Sequence, residues 1–548
     1  MKKMMISIAA LSLLGSCSQI GGSSNGDDDS TKKTLQTESV YKAKVIRDES
    51  ITRENSYSDL FLDSNAIENY IIKEAVAGDN ANQIRDFYIA RNNQAAWFTS
   101  AGVTEQGRGL WSLYSSQSGQ SKVDPGKAIK TKMDSLLLND SIFVSATDTS
   151  FLRTEIALTA QLVQLASVNN GVVNANNMHL LVPRKRMEAM QLADSLLTKQ
   201  QGGELWNNNP QYAALKTNLQ LYYNSAKAGG WQPISSISGL KKGSKSSAVS
   251  VLKKRLAATG DYPLHDTSTI YTDSLVTAIK SVQAQYGFFP NGIVTDSFVK
   301  ELNVPADVRL QQILVNMNRA IWSQPQIDSN KIVVNIPSLQ LAVYEGSNKV
   351  MEMPVIVGKE GTGTMVFSGT IDRIVFSPYW NLPQSIVQNE IKPAMKKDPG
   401  YLKKNNMEIV KQDDSMPKIR QLPGRDNALG QVKFLFPNSF DIYLHDTPHK
   451  ELFAQTNRAL SHGCIRVAKP DSLAHYLLRS QTEWTPEKIT SAMNSGKEQS
   501  VAVKTPLPVA ITYYTSWIDE KGKMNFRKDV YGHDKAAMTK MFGGASSI

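Results

Sequence analysis

The chain has 548 residues, 41% of them hydrophobic, and a net charge of +11; that length divides into about three to four domains of ordinary size. Lysines and arginines are spread along the chain rather than run together, with no zinc-finger spacing and no nucleotide-binding loop. Nucleic acid is therefore set aside as a partner, and the positive charge points to an anionic matrix outside the cell.

Met1-Lys2-Lys3 and the apolar run from Met4 to Leu14 form a charged and then a hydrophobic segment, too short to span a membrane and typical of an export signal. Leu14-Gly15-Ser16-Cys17 resembles the bacterial lipoprotein signal, which implies that residues 1–17 are a signal peptide and that Cys17 is lipidated. Residues 18–55 begin with a Gly-, Ser- and Asp-rich stretch and read as a flexible tether.

Residues 56–235 read as a helical scaffold domain. Leu152, Ile156, Ala160 and Val163 recur at helical spacing, as do Ile67, Tyr70 and Ile71, while Asn169-Asn170-Gly171 and Asn207-Asn208-Asn209-Pro210 break the pattern. Phe87-Tyr88 and Ala95-Ala96-Trp97-Phe98 are expected to pack in a core. Residues 240–305 read as a three-helix module: Val249, Leu252 and Leu256, then Leu275, Ala278, Ile279, Val282 and Tyr286 up to Gly287, then a helix capped by Thr295. This segment resembles the peptidoglycan-binding module of bacterial wall enzymes. Leu310, Ile313, Leu314, Met317 and Ile321 predict a connecting helix within residues 306–330.

At Lys331 the period changes to two. Ile332, Val334 and Ile336 alternate, as do Leu339, Leu341 and Val343, and a turn at Glu345-Gly346-Ser347-Asn348 leads into another strand. Phe440, Ile442 and Leu444 alternate again, which predicts a strand that puts Asp441, Tyr443 and His445 on one face. The chain is therefore a multi-domain α+β protein whose mostly β domain covers residues 331–500.

That domain holds the chemistry. In Ser461-His462-Gly463-Cys464-Ile465-Arg466-Val467, a cysteine follows a glycine and lies two residues after a histidine. A thiol needs a base to become a strong nucleophile, and His445 and His462 are the candidates. A loop turning at Gly463 can aim backbone N–H groups at one point, as an oxyanion requires. Cysteine, base and oxyanion donors together point to acyl transfer. No metal site is apparent, and no cofactor is called for.

His445 followed 19 positions later by the Ser-His-Gly-Cys motif resembles the YkuD-type L,D-transpeptidase catalytic domain. Further likeness lies in Ser377-Pro378-Tyr379-Trp380-Asn381-Leu382-Pro383, Arg420-Gln421-Leu422-Pro423-Gly424 and Asn427-Ala428-Leu429-Gly430, and the whole layout resembles the large periplasmic YcbB-type members. The resemblance implies that Cys464 is the nucleophile and His445 the base, oriented by the Asp446 carbonyl, with His462 a competing base. It further implies an oxyanion hole from the backbone N–H groups of His462, Gly463 and Cys464, and substrate contacts by Arg466, Ser461, Tyr443 and Trp380. Residues 384–439 would cap the substrate, and residues 501–548 would form a C-terminal extension. The implied partners are peptidoglycan stem peptides, the membrane through Cys17, and wall synthases; the implied location is the cell envelope, lipid-anchored on the periplasmic face of the outer membrane. One departure stands out: where related chains often carry Thr-Pro, this one has Thr364-Met365, which on this reading alters a loop and touches no catalytic position.

Overall fold

The computed structural model describes residues 41–117, 127–138, 144–145, 148–168, 181–198, 209–235, 240–322, 330–411 and 416–543. The export segment with Cys17, most of the tether, the break at Asn169-Asn170-Gly171, and Asn207 and Asn208 lie outside those residues. Ala43–Ile548 form one compact unit.

The helical part begins with helix Ser64–Lys73, whose Asp63 cap accepts the Asn65 N–H, and helix Gly78–Ala90. A short hairpin of β1 (Phe98–Thr99) and β2 (Gly102–Val103) follows, and helix Thr149–Val168 is tied to it. The tie is Glu155, which accepts the N–H groups of Ala96 and Trp97 at 2.6 and 3.0 Å; burial pushes its carboxyl up to about 7. Phe87, Tyr88, Trp97 and Phe98 are fully buried, and Phe87 stacks on Trp97 with ring centres 6.1 Å apart. These aromatics are core. Further on, helices Ser247–Ala257, Asp273–Gln285 and Asp296–Leu302 are capped by the hydroxyls of Ser246, Thr272 and Thr295.

Helix Ala306–Ile321 is not the connector that its single apolar stripe predicts. Its polar face is buried as well, because the far end of the chain returns to cover it. Gln312 donates to the carbonyls of Thr515 and Arg527, and Asn316 exchanges hydrogen bonds with Thr515. Arg319 pairs with Glu105 at 2.7 Å and Asp534 at 2.5 Å. Removing one partner of a buried ion pair leaves the other charge stranded in low dielectric. Asp534→Ala is therefore expected to cost about 3–5 kcal/mol, read as a lower urea midpoint; an unchanged midpoint would mean that Glu105 alone satisfies Arg319.

The β-rich part contains β3 (Lys331–Asn335), β4 (Gln340–Glu345), β5 (Asn348–Gly358), β6 (Phe367–Phe376), β7 (Trp380–Asn381), β8 (Met407–Lys411) and β9 (Lys418–Gln421). It continues with β10 (Val432–Leu435), β11 (Leu444–His445), β12 (Ala459–Ser461), β13 (Ile465–Val467), β14 (Gln499–Thr512), β15 (Ser516–Ile518) and β16 (Met524–Phe526). Among the described residues, nine strands make one sheet in the order β12-β5-β13-β11-β10-β6-β14-β3-β4, and β4 also pairs with β5. Its core combines Ile332, Val334, Ile374 and Phe434 with Leu473 and Leu477 of helix Pro470–Leu478 and Ile489 of helix Pro486–Met493.

Two boundaries differ from the sequence reading. β14 runs to Thr512 and pairs with both β6 and β3, so the sheet does not stop at residue 500. Pro506 looks like a strand breaker, but it lies where the β14–β6 register shifts between Ala502 and Leu507, a place that needs no ladder N–H. The capping insertion also ends earlier than residue 439, since β10 belongs to the main sheet. The cap itself is the small sheet β7-β9-β8 with its own core of Leu382, Ile386, Val387, Ile391 and Ile419.

Candidate active site

The nucleophile loop joins β12 to β13. β13 runs parallel to β11 in the register Leu444↔Ile465 and His445↔Arg466, and the Ile465 N–H donates to the Tyr443 carbonyl at 3.1 Å. Side chains alternate along a strand, so His445 and Arg466 share one face of the pair, with Tyr443 and Cys464 one step back on the same face. The Tyr443 and His445 rings meet edge to face, 5.7 Å apart.

The strand expected over 440–445 is shorter than the alternation predicts. Asn438 interrupts it: its side chain accepts the N–H groups of Phe440 and Ile442 and donates to the carbonyls of Phe436 and Ile442. Asp441 consequently takes a positive φ of 52°. That turn brings the Asp441 carbonyl to within 3.5 Å of Cys464 Sγ, which donates to it.

Cys464 is half-buried and free of any disulfide. Burial pushes its thiol up and the Asp441 charge adds to this, while hydrogen bonds from Tyr443 and the Arg466 charge pull the other way. His445 is buried, and its Nδ1 bonds to the Asp446 carbonyl at 2.5 Å. Burial, helped by Arg466, holds its imidazole down at about 3. The resting pair is therefore neutral thiol and neutral imidazole. Asp446 is fixed in turn: its carboxylate accepts the N–H groups of Gln431 and Thr447 and pairs with Lys450.

The loop's own hydrogen bonds decide which N–H groups remain. Ser461 Oγ donates to the Cys464 carbonyl at 2.6 Å and accepts the Gly463 N–H at 3.2 Å. Gly463 is thus engaged within the loop and is not the oxyanion donor expected from sequence. The Cys464 and His462 N–H groups have no acceptor among the described residues. Gly463 has φ +119°, a conformation that only glycine takes without strain.

Residues 329–509 match the family model of the L,D-transpeptidase catalytic domain, YkuD. The chain carries a YkuD-family L,D-transpeptidase domain. Residues 82–219 match a second family model, the Scaffold domain, and the multi-domain α+β class read from sequence is borne out. A Haemophilus influenzae protein provisionally named as an L,D-transpeptidase is 37% identical over 222 residues, which is 38% of this chain and 45% of that protein's own length. The chain therefore spans less than half the length of that relative. Among solved structures, an L,D-transpeptidase from Mycobacterium smegmatis overlaps 33% of this chain and 58% of its own at 14% identity and a TM-score of 0.20. One from Stackebrandtia nassauensis overlaps 50% and 97% at 14% identity and a TM-score of 0.21.

Within the transpeptidase domain, the structure brings Cys464, His445, Tyr443 and Arg466 to one face, and the buried Arg466 Nε has no hydrogen-bond partner among the described residues. It does not bring the other expected residues there. Ser461 is buried and bonded inside the loop instead of facing substrate. Trp380 lies in β7, packed against the cap's own core. His462, the competing base, is turned outward, where its Nε2 meets Glu390 Oε1 at 2.9 Å. Glu390 stands on a π turn of the cap, Val387–Ile391, a rare element that recurs at functional sites.

Sequence reasoning missed Glu390 and also Thr364, whose hydroxyl donates to the Gly463 carbonyl at 2.7 Å. The departure read at Thr364-Met365 lies in Met365, whereas the bond to the catalytic loop comes from the threonine beside it. A cleft of about 1860 Å³ is lined by His462, Gly463, Thr364 and Phe440 and also by Lys280 and Arg319, but Cys464, His445, Tyr443 and Arg466 are not among its lining residues. No group of three or more His, Cys, Asp or Glu is placed to hold a metal ion among the described residues.

Proposed function

We propose that the chain is a peptidoglycan L,D-transpeptidase that forms 3→3 cross-links. The observation that carries the reading is the β11–β13 register, which lays Cys464, His445 and Arg466 on one face beside an uncommitted Cys464 N–H, inside a domain of the transpeptidase family. The Cys464 sulfur attacks the carbonyl of the third stem residue. Its proton passes to His445 as the side chain turns from the Asp441 carbonyl, and the Cys464 N–H receives the oxyanion. The C–N bond to the terminal D-alanine then breaks, the leaving amine takes the proton from His445, and a thioester remains. The side-chain amine of a diamino acid on a second stem attacks that thioester; the new C–N bond forms, the C–S bond breaks, and the thiol is restored. Arg466, with its unpartnered Nε, is suited to a stem carboxylate.

Mass spectrometry of tetrapeptide muropeptides incubated with the full chain tests the reading. A cross-linked dimer lacking one D-alanine is expected. Monomeric tripeptide alone would make the enzyme a carboxypeptidase that uses water as acceptor, and no product would leave a wall-binding protein. We further propose a lipid anchor at Cys17 and an envelope location, supported by the Leu14-Gly15-Ser16-Cys17 sequence; recovery of Cys17→Ser chains in the same membrane fraction as wild type would refute the anchor.

A further inference from the structure

We propose that Thr364 is the positioning residue of the oxyanion hole and that Tyr531, from the C-terminal end of the chain, holds Thr364 in place; this rests on the acyl-transfer reading above. A peptide unit is rigid and planar, with its C=O and N–H on opposite sides. The Gly463 carbonyl and the Cys464 N–H belong to one such unit, so fixing the carbonyl aims the N–H. Gly463 has no Cβ to restrict that unit's rotation, and the restriction comes from outside.

Thr364 supplies it. Its buried hydroxyl accepts the Gly358 N–H at 2.9 Å, which directs its own hydrogen to the Gly463 carbonyl at 2.7 Å. Ser461 already engages the Gly463 N–H and the Cys464 carbonyl. With those three groups held, the Cys464 N–H, like that of His462, is left without an acceptor among the described residues and open to an incoming oxygen.

Tyr531 holds Thr364. Its hydroxyl donates to the Gly358 carbonyl at 2.6 Å and accepts the Thr364 N–H at 3.2 Å, clasping both ends of the loop between β5 and β6. The loop closes tightly, since a Cβ on Gly358 would lie 2.2 Å from the Thr362 carbonyl oxygen. Tyr531 is itself fixed, because its N–H donates to the Tyr513 hydroxyl, which donates to Asp529. A segment outside the catalytic sheet thus sets the aim of a backbone group at its centre.

The test compares two reactions of Cys464 in the full chain, both followed by mass spectrometry of the Cys464 peptide. Acylation by p-nitrophenyl acetate passes through an oxyanion, whereas alkylation by iodoacetamide does not. Thr364→Val is expected to slow acylation about 10- to 100-fold, short of or equal to the loss of a whole oxyanion donor, with alkylation unchanged, and Thr364→Ser is expected to restore acylation. Tyr531→Phe is expected to show the same contrast with a smaller loss, and it carries the test if Thr364→Val does not fold. With muropeptides the loss should fall on kcat and leave KM unchanged. Equal slowing of both reactions, or unslowed acylation, would overturn the proposal. A wild-type chain that acylates with the ester but makes no muropeptide product would sink the transpeptidase reading and leave this one standing.

Discussion

Cys464→Ala is expected to abolish D-alanine release and dimer formation, by a factor of at least about 10⁴. No other nucleophile stands ready on that face. Burial holds the Tyr443 hydroxyl well above its usual range, and the thiol beside it adds to the shift. Ser461 Oγ is buried and bonded at both ends. Cys464→Ser should be nearly as inactive, because an alcohol is far less acidic than a thiol and the His445 imidazole, held down at about 3, is too weak a base to activate it. Product mass spectrometry checks both variants, and residual dimer from Cys464→Ala would refute the covalent mechanism outright.

His445→Gln is expected to lower acylation about 10³-fold, in the middle of the range for general base catalysis, and the pH dependence should identify the role. The depressed imidazole stays neutral at every pH above about 3, so kcat/KM should not fall as pH drops through 6.5, where an unperturbed histidine would lose its basicity. Since burial raises the thiol, alkylation by iodoacetamide should keep rising above pH 9 and show no plateau near neutrality. An acid limb centred near 6.5, or a neutral plateau, would mean that the resting pair is ionic. The same depression appears in stability. The unfolded chain takes up a proton at His445 near pH 6.5 and the folded chain only near 3, so its contribution is complete above 6.5 and is lost as pH falls between those values. Burial lowers His533 as well, which acts in the same direction.

What could be read from sequence was what is local. The helix cap at Thr295, the stop at Gly287 and the cluster from Ser461 to Arg466 all lie within a few residues of the groups they act on. The class of fold followed from the change of period at Lys331. What escaped reading depends on contacts between distant residues. Gln312, Asn316 and Arg319 look like a solvated face until residues 515–534 arrive to bury them. Thr364 lies 99 positions from Gly463, and Glu390 meets His462 across the separation between cap and catalytic loop. Alternation over Phe440, Ile442 and Leu444 overstated a strand because one side chain, Asn438, competes for its backbone.

The return of the chain's end has a consequence for synthesis. Ile518, Met524, Phe526, Met538 and Phe542 share one apolar core with Tyr57, Trp97, Leu219 and Ile313. A ribosome makes the helical part first and these residues last, so that part has no finished interior while the rest is being translated. A chain stopped before residue 515 would carry Cys464 yet leave Tyr222 and Tyr286, on which Phe526 packs, uncovered, a mark by which proteases recognise incomplete products. Synthesis of residues 515–542 and maturation of the helical part become a single event, and an active thiol is paired with an intact body.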